Sequence, residues 1–395
     1  MASSSGLSGL SGLSGLSGLS GLSGLSGLSG LSGLSGLSSA VLGLDPTVVA
    51  QAFIQTRDGI CGHWDKTQPT LPGELTVGAT ANAVRWEAAV RAALYDFESI
   101  SGLSFASDEP NKAATLSAVT AAGGISPVIQ IVRPSAAKFS KLLIFLDSYA
   151  DLREDRSAEI LSQEGGAMAF LGSIPFLHPE RTRWTLELLG AALRLAVFAE
   201  MQFKHGLACR RPNEYSPQVQ PMILTPGHGT LPMGHATETF ILAFVLWQLI
   251  KNSTATGTYA DPRWGIQLFS LAARVAMNRI VAGVHFTVDA AAGELLGLTL
   301  GQYFLARCGV TSGYTPWTFT GEDFPDPTLG NDPPLNGDYY WTDLYAFTTS
   351  ASVATPGQIA SGYAKLTNPS TSPPVNVAPG SLLPWLWAQA AGEWP

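Results

Sequence analysis

Apolar positions along this chain recur mostly at the spacing of an α-helix. The first such segment covers residues 80–99, where the apolar side chains fall on one face of an amphipathic helix. These side chains are Val84, Ala88, Val90, Leu94 and Phe97. Longer helical patterns cover residues 138–163, 181–204, 235–251, 262–280 and 285–307. The pattern therefore predicts an all-α fold, a helical bundle formed by the middle of the chain.

Two parts of the chain depart from this pattern. Residues 128–132 form a short β-like apolar run between Gly124 and Pro134. After Gly309 the composition shifts to Pro, Gly, Thr and Asp, and only residues 382–391 keep a helical pattern. Large apolar side chains in this irregular C-terminal extension indicate that it packs on the body or on a neighbouring subunit. They are Trp317, Trp341, Trp385 and Trp387.

The beginning of the chain is a repeat that suits neither a helix nor a strand. From Ser5 to Leu37 the triplet Ser-Gly-Leu recurs without interruption, so an apolar residue comes at every third position. The repeat contains no proline, which excludes collagen, and it is interpreted either as a flexible low-complexity leader or as an arm for assembly. The predicted organisation is a leader over residues 1–44, a helical domain over 45–308 and the extension over 309–395.

Composition narrows the class of protein. Of the 395 residues, 46% are hydrophobic and 13% are charged, and the net charge is −8. The mean hydropathy is +0.18. These values exclude a largely disordered chain, a coiled coil and a nucleic-acid binder. The best candidate for a membrane span, residues 239–250, is too short to cross a bilayer, so no association with a membrane is expected.

The cysteines and the start of the sequence bear on the cellular compartment. Cys61, Cys209 and Cys308 form neither a disulfide framework nor a metal-binding spacing. The sequence does not open with a recognisable secretory signal. A cytoplasmic location is therefore the default expectation, with export by another route left open.

The chemistry is expected from three segments that collect cations and histidines. In the first, Lys204 and Arg211 lie seven residues apart, which places both on one face if the segment is helical. Pro212 then disfavours continuation of the helix. By itself, this segment is also compatible with a solvated basic helix end.

The second segment, residues 225–237, is a Pro- and Gly-rich loop that leads into an apolar helix and contains His228 and His235. Free N–H groups at a helix N-terminus bind oxyanions, and Gly234 would let an anion approach the backbone closely. A tight loop with a capping histidine is the alternative interpretation.

The third segment, residues 278–289, carries Arg279, His285 and Asp289. His285 and Asp289 are four residues apart, a spacing at which a carboxylate on a helix can hold an imidazole. A break in the helix near Gly283 is needed for Arg279 to reach the same site. In isolation, the pair is also compatible with a core histidine whose hydrogen bonds a carboxylate satisfies.

In this order, Lys-x6-Arg-Pro, Pro-x-Gly-His and Arg-x5-His-x3-Asp resemble a known three-part signature. It is shared by type-2 phosphatidic acid phosphatases, bacterial acid phosphatases and vanadium-dependent haloperoxidases. The resemblance implies that three cations and the Gly234 N–H hold a tetrahedral oxyanion in the core of the bundle. The cations are Lys204, Arg211 and Arg279. The oxyanion would be the cofactor vanadate in a haloperoxidase and phosphate in a phosphatase.

The resemblance also implies roles for the histidines. His285 would bond to the central atom, as the vanadium ligand of a haloperoxidase or as the nucleophile that forms a phosphohistidine. Asp289 would hold His285, and His235 would act as general acid–base. In a haloperoxidase, Lys204 would polarise the bound peroxide.

Features near the signature favour a vanadium-dependent haloperoxidase of the bacterial branch, which oxidises a halide with hydrogen peroxide. His228, seven residues before His235, resembles the second histidine of bromide-oxidising members, so bromide is the expected halide. Residues 216–221 also look like the bacterial branch. The short interval between Arg211 and Gly234 is closer to that of acid phosphatases. An acid phosphatase is therefore the first alternative, and a catalytically silent oxyanion-binding or structural protein is the second.

Met233 departs from the family pattern, which has serine at this position and uses its hydroxyl to bind the oxyanion. A thioether cannot donate a hydrogen bond. Losing a hydrogen bond to a charged group costs about 1.5–3 kcal/mol, so vanadate is expected to bind more weakly here than in other members. The resemblance further implies a homo-oligomer and, as a further partner, an organic acceptor of the oxidised halide.

Overall fold

The computed structural model describes residues 46–61, 71–252, 257–328, 330–331, 334–347, 357–367 and 374–394. In the first of these ranges, side chains are described for residues 51–60. The Ser-Gly-Leu leader predicted from the sequence lies outside the described residues.

Helices dominate the described part of the chain. They are α1 (Pro46–Cys61), α2 (Ala88–Ile100), α3 (Ala136–Ala150), α4 (Arg153–Gln163), α5 (Met168–Gly172), α6 (Arg183–Leu207), α7 (Pro212–Tyr215), α8 (Gly234–Lys251), α9 (Pro262–Val281), α10 (Thr287–Arg307) and α11 (Leu382–Ala391). The helical patterns predicted from the sequence correspond to α3, α4, α6, α8, α9, α10 and α11. The predicted segment 138–163 is two helices, because the chain turns at residues 151–152 before α4 begins.

Two helices that are apolar on all sides form the centre of the molecule. Nearly every residue of α8 and α10 is buried. The two helices approach closely, because a Cβ at Gly293 of α10 would lie 2.5 Å from the Met233 carbonyl oxygen. α6 packs on α8, and the start of α8 at Gly234 lies against Glu200 of α6. The ends of these helices therefore meet at one place, where the candidate site lies.

The all-α prediction is wrong in one respect, because the described chain also contains a mixed β-sheet. The strands are β1 (Leu103–Asp108), β2 (Ala113–Val119), β3 (Ile125–Val132), β4 (Gly313–Tyr314), β5 (Trp317–Thr320), β6 (Tyr345–Ala346), β7 (Gly357–Gln358), β8 (Ala364–Leu366) and β9 (Val375–Asn376). Five strands form one sheet in the order β1-β2-β3-β5-β8, in which β3 and β5 are parallel and the other neighbours antiparallel. The predicted run 128–132 lies within β3.

The sequence pattern missed this sheet for a physical reason. β1 and β2 consist largely of alanine, serine and threonine, so they lack the clear alternation of large apolar and polar side chains that marks a strand. β5 and β8 come from the C-terminal extension, which is therefore not irregular throughout. Trp317 of β5 and Trp394 after α11 are both buried.

The predicted amphipathic helix at residues 80–99 consists of two separate helices, and the predicted apolar face is not the buried one. A 3-10 helix covers Thr80–Arg85, and α2 follows. The apolar face of α2 is exposed, while Arg91 on the other side is buried. Arg91 is buried because its guanidinium forms an ion pair with the buried carboxylate of Glu187 on α6. The exposed residues are Val90, Leu94 and Phe97.

None of the described helices has both the length and the apolar character required to span a bilayer.

Candidate functional site

Lys204 and Arg211 reach one cavity from two different elements. α6 ends at Leu207, and Ala208 then adopts a left-handed conformation with φ 48°. Arg211 is extended and precedes the short helix α7, whose first turn contains Pro212. The segment is not one continuous helix, so the condition under which the two cations would share a helical face is not met. The turn after α6 nevertheless brings both side chains to the cavity.

His285 lies in the connection between α9 and α10, not within a helix as the sequence pattern predicted. α9 ends at Val281, and Gly283 has φ 81°, a conformation that favours glycine. The break near Gly283 is thus confirmed. α10 begins at Thr287, so the connection directs both Arg279 and His285 to the cavity.

The cavity gathers most of the residues that the sequence singled out. Its lining includes Lys204, Arg211, His228, Gly234, His235, Arg279 and His285. Met233 and Asp289 do not line it. Met233 is fully buried at the start of α8, where its side chain makes no capping bond. Asp289 lies behind His285 and is also fully buried.

Hydrogen bonds fix the orientation of the His285 ring. Its Nδ1 lies 3.1 Å from Asp289 Oδ2, and Asp289 Oδ2 also accepts the Phe286 N–H and the Thr230 hydroxyl. On the other side of the ring, Nε2 lies 2.9 Å from Arg211 Nη1. Arg211 can only donate, so Nε2 carries the lone pair and Nδ1 carries the proton. The ring therefore presents its unprotonated nitrogen to the cationic side of the site.

Burial and neighbouring cations keep His285 neutral. Burial lowers its pKa well below the usual range, and the charges of Arg211 and Lys204 lower it further. Burial raises the pKa of Asp289 to about 6, against the opposing effect of its hydrogen bonds. A neutral, oriented imidazole can act as a nucleophile or as a ligand near neutral pH.

The three cations differ in how their donors are used. Lys204 Nζ donates to the Pro232 carbonyl oxygen at 2.5 Å. Arg211 donates to the carbonyl oxygens of His228 and Val284. Arg279 Nη2 donates to the Ile160 carbonyl oxygen, but its Nε and Nη1 are buried without a partner among the described residues. Buried guanidinium donors without partners are the arrangement expected of a site that takes an anion.

Desolvation weakens the charged form of each cation. Burial lowers the pKa of Lys204 to about 8 and that of Arg211 and Arg279 to about 10. All three groups are still mainly protonated near neutral pH, so the cavity retains its positive charge.

The other two histidines that line the cavity, His235 and His228, are also neutral. Burial lowers the pKa of His235 and of His228 to about 3. His235 Nε2 lies 3.1 Å from the Gln163 carbonyl oxygen, which accepts its proton, so Nδ1 is the unprotonated nitrogen. His228 Nδ1 lies 3.1 Å from Arg211 Nη2, and its Nε2 is buried without a partner among the described residues.

Three carboxyl groups in the cavity wall were missed at the level of sequence. They are Glu164, Glu200 and Glu238. Glu200 lies four residues before Lys204, and Glu238 lies three residues after His235, so helical spacing could have placed both at the site. Thr230, whose hydroxyl donates to Asp289, was also missed, because a loop residue gives no such periodic signal.

The fold and the site define a mainly helical protein with a cavity lined by cations and histidines. Residues 185–309 match the family model described as PAP2 superfamily, so this segment is a PAP2 superfamily domain. Members of this superfamily are enzymes, namely phosphatases and haloperoxidases.

A solved structure resembles part of this chain. The crystal structure of the first transmembrane PAP2 type phosphatidylglycerolphosphate phosphatase from Bacillus subtilis is similar with a TM-score of 0.35 and 18% identity. The similarity covers 42% of this chain and 84% of that chain. No curated protein matches this chain.

Proposed function

We propose that the chain is a vanadate-dependent haloperoxidase that oxidises bromide with hydrogen peroxide. The observation that carries the proposal is the neutral His285, whose Nε2 lone pair faces a cavity of buried cations. The unpartnered Nε and Nη1 of Arg279 indicate that the donor set suits a tetrahedral oxyanion. Vanadate matches these residues in charge and in its acceptor oxygens.

Each residue would contribute a separate function to the reaction. His285 would bond the central atom through Nε2, while Asp289 and Thr230 hold the ring in this tautomer. Arg279, Arg211 and Lys204 would hold the oxyanion oxygens. Bound vanadate would supply a Lewis acid that activates hydrogen peroxide.

His235 would act on the proton of hydrogen peroxide, and His228 would affect the use of the halide. His235 is neutral and has an unprotonated Nδ1, so this atom would accept a proton from hydrogen peroxide as it binds. Arg211 donates to His285 Nε2 and would have to release this atom before His285 could bond the oxyanion. His228, beside Arg211 in the wall, would tune the use of bromide.

An acid phosphatase is the second candidate. The match of residues 185–309 to the PAP2 superfamily favours it equally, because phosphatases and haloperoxidases are both members. In that reaction His285 Nε2 would attack phosphorus, the P–O bond of the ester would break, and the alcohol would leave after taking up a proton. Water would then cleave the N–P bond of the phosphohistidine, which releases phosphate and the free imidazole.

One paired assay separates the candidates. The purified chain is given vanadate, hydrogen peroxide and bromide in one arm, and a phosphate monoester without vanadate in the other. We expect bromination that depends on vanadate and that His285→Ala abolishes. Hydrolysis of the monoester without bromination would assign the phosphatase reaction instead. Vanadate binding without either activity would indicate an oxyanion-binding protein that is catalytically silent.

A further inference from the structure

One buried carboxyl group in the cavity has no hydrogen-bond partner among the described residues. Glu200 of α6 is fully buried, and neither of its carboxyl oxygens is bonded. It lines the cavity one turn before Lys204. Its Oε1 lies 2.6 Å from the point that a Cβ on Gly234 would occupy. The carboxyl is therefore packed against the backbone at the start of α8, where a bound oxyanion is expected.

The protonation state of Glu200 decides whether it helps or opposes an anion. An ionised carboxylate would repel an oxyanion strongly, because like charges in a buried site are poorly screened. A neutral carboxylic acid has the opposite effect, because its O–H is a hydrogen-bond donor. The second case would also explain why the O–H of Glu200 has no acceptor from the protein, since a bound oxyanion would supply that acceptor.

We propose that Glu200 is a neutral carboxylic acid that donates its O–H to the oxyanion bound beside Gly234. The proton stays on the Glu200 carboxyl, so no transfer step is involved. Glu200 would supply a donor that the thioether of Met233 cannot provide. The inference rests on the proposed function only in that a tetrahedral oxyanion enters the cavity.

The surroundings of Glu200 favour the neutral form. Burial raises the pKa of Glu200 well above its usual range, and the charge of Glu238 raises it further, against the opposing effect of Lys204 and Arg211. Burial raises the pKa of Glu238, the nearby acid on α8, to about 7. The other titratable groups that line the cavity are Glu164, His228, His235, Arg279 and His285.

The test measures how tightly molybdate binds to the full chain and two variants. Molybdate is a tetrahedral oxyanion whose charge does not change near neutral pH, so its own titration does not disturb the result. Glu200→Gln keeps a hydrogen-bond donor in the form of an amide, whereas Glu200→Met keeps a similar size without a donor. Affinities are measured by calorimetry at about pH 6, below the pKa of Glu238.

Glu294→Gln is the matched control. Glu294 of α10 is also fully buried, has an unpartnered Oε1 and has a pKa raised well above its usual range by burial. It does not line the cavity. We expect Glu200→Met to weaken molybdate binding by about ten- to a hundredfold, while Glu200→Gln stays within about threefold of the original chain. Glu294→Gln should not change the affinity.

Infrared difference spectroscopy supplies a second readout that does not depend on activity. The C=O stretch of a protonated carboxyl should shift when molybdate binds to the original chain and to Glu294→Gln. The shift should be missing in Glu200→Gln. Thermal unfolding of each variant establishes that it is folded before binding is compared.

Three outcomes would overturn the inference. Equal binding by Glu200→Met and the original chain would show that Glu200 donates nothing. Binding to Glu200→Gln that is about tenfold tighter or more would show that Glu200 is ionised and repels the anion. If bromination fails while the molybdate affinities of the variants are as expected, only the proposed haloperoxidase function is rejected. Absence of molybdate binding to the original chain would reject the oxyanion site itself.

Discussion

At the scale of single residues, the environment assigns the chemical state of each group in the site. Asp289 is a case in which one oxygen accepts hydrogen bonds from His285, Thr230 and the Phe286 N–H. A histidine surrounded in this way keeps one tautomer and one orientation. The tautomer and the orientation of His285 therefore depend on the carboxylate of Asp289, which does not line the cavity.

Asp289→Asn tests this dependence. The amide would keep the size of the side chain but can donate to His285 Nδ1, which favours the wrong tautomer. We expect the rate of bromination to fall by up to about 10⁴-fold, the loss seen when the Asp that orients a catalytic histidine is replaced by Asn. Steady-state kinetics measure the loss. Thr230→Val is the comparison variant, and it should lower the rate of bromination by only about tenfold, since it removes one of the hydrogen bonds to Asp289.

Met233→Ser addresses the departure from the family pattern. Met233 is fully buried at the N-cap of α8, so the change removes apolar volume and adds a hydroxyl that can cap the helix. We expect the free energy of unfolding to fall by about 1–4 kcal/mol, because the lost burial outweighs the cap. Vanadate should bind about tenfold more tightly if the hydroxyl reaches the anion. Met233→Ala has no hydroxyl, and an equal effect of both variants on affinity would show that a hydroxyl at position 233 does not reach the anion.

His228→Phe tests the preference for bromide. His228 lies beside Arg211 and is neutral, so its loss should leave the charge of the cavity unchanged. We expect the turnover of bromide to change by at least about threefold while vanadate remains bound, since the cations still hold it. Parallel measurement of bromide kinetics and of vanadate content checks this. Release of vanadate would instead assign a structural role to His228.

At the scale of elements, α2 fixes the C-terminal helix through one carboxylate. Glu98 accepts the N–H groups of Ser381, Leu382 and Leu383 at the start of α11. Burial opposes the charge, but these bonds and the Ser381 hydroxyl outweigh it and lower the pKa of Glu98. The lowered pKa means that this contribution to stability is present at neutral pH and is lost as the pH falls through the pKa of the folded protein.

Glu98→Gln should therefore destabilise the chain in a pH-dependent way. We expect a loss of about 0.5–2 kcal/mol at neutral pH, the usual worth of a helix cap. The difference from the original chain should shrink as the pH falls below about 4.3, the ordinary pKa of glutamate. Thermal unfolding across this range measures it. Glu87, at the start of α2, makes no capping bond, so Glu87→Gln should behave like the original chain throughout.

Sequence patterns predicted the elements where helical periodicity or a helix-breaking residue gave a strong signal. They failed where tertiary contacts determine which side chains are buried. The boundaries of α11 and the break at Gly283 followed from composition and spacing. The buried face of α2 could not be predicted in this way. The ion pair between Arg91 and Glu187 buries the side opposite to the one that apolar spacing favours. The signature grouped Lys204 and Arg211, and both line the cavity, although they do not share a helical face. The position of Glu200, one helical turn before Lys204, could have been predicted from helical spacing, but only the fold shows that its carboxyl is packed against the start of α8.

At the scale of the whole molecule, two helices present apolar side chains to solvent. On α2 these are Val90, Leu94 and Phe97, and on α1 they are Phe53, Ile54 and Ile60. Every described side chain of α1 is exposed, so α1 does not cover the face of α2 within the same chain. Exposed apolar helices of this kind mark contacts between proteins. Each copy of the chain carries both apolar surfaces, so a second copy can cover the exposed apolar residues of α1 and α2 in the first.

We therefore expect the purified chain to form a homo-oligomer, with a mass at least twice the 41.5 kDa of one chain. Phe97→Glu should shift it toward the monomer, because Phe97 is 71% exposed on the apolar face of α2 and a charge there opposes burial. Light scattering coupled to size exclusion measures the mass. Leu161→Glu is the control, since Leu161 is 55% exposed on α4. A monomeric original chain, or an oligomer that Phe97→Glu leaves intact, would contradict an interface at α2.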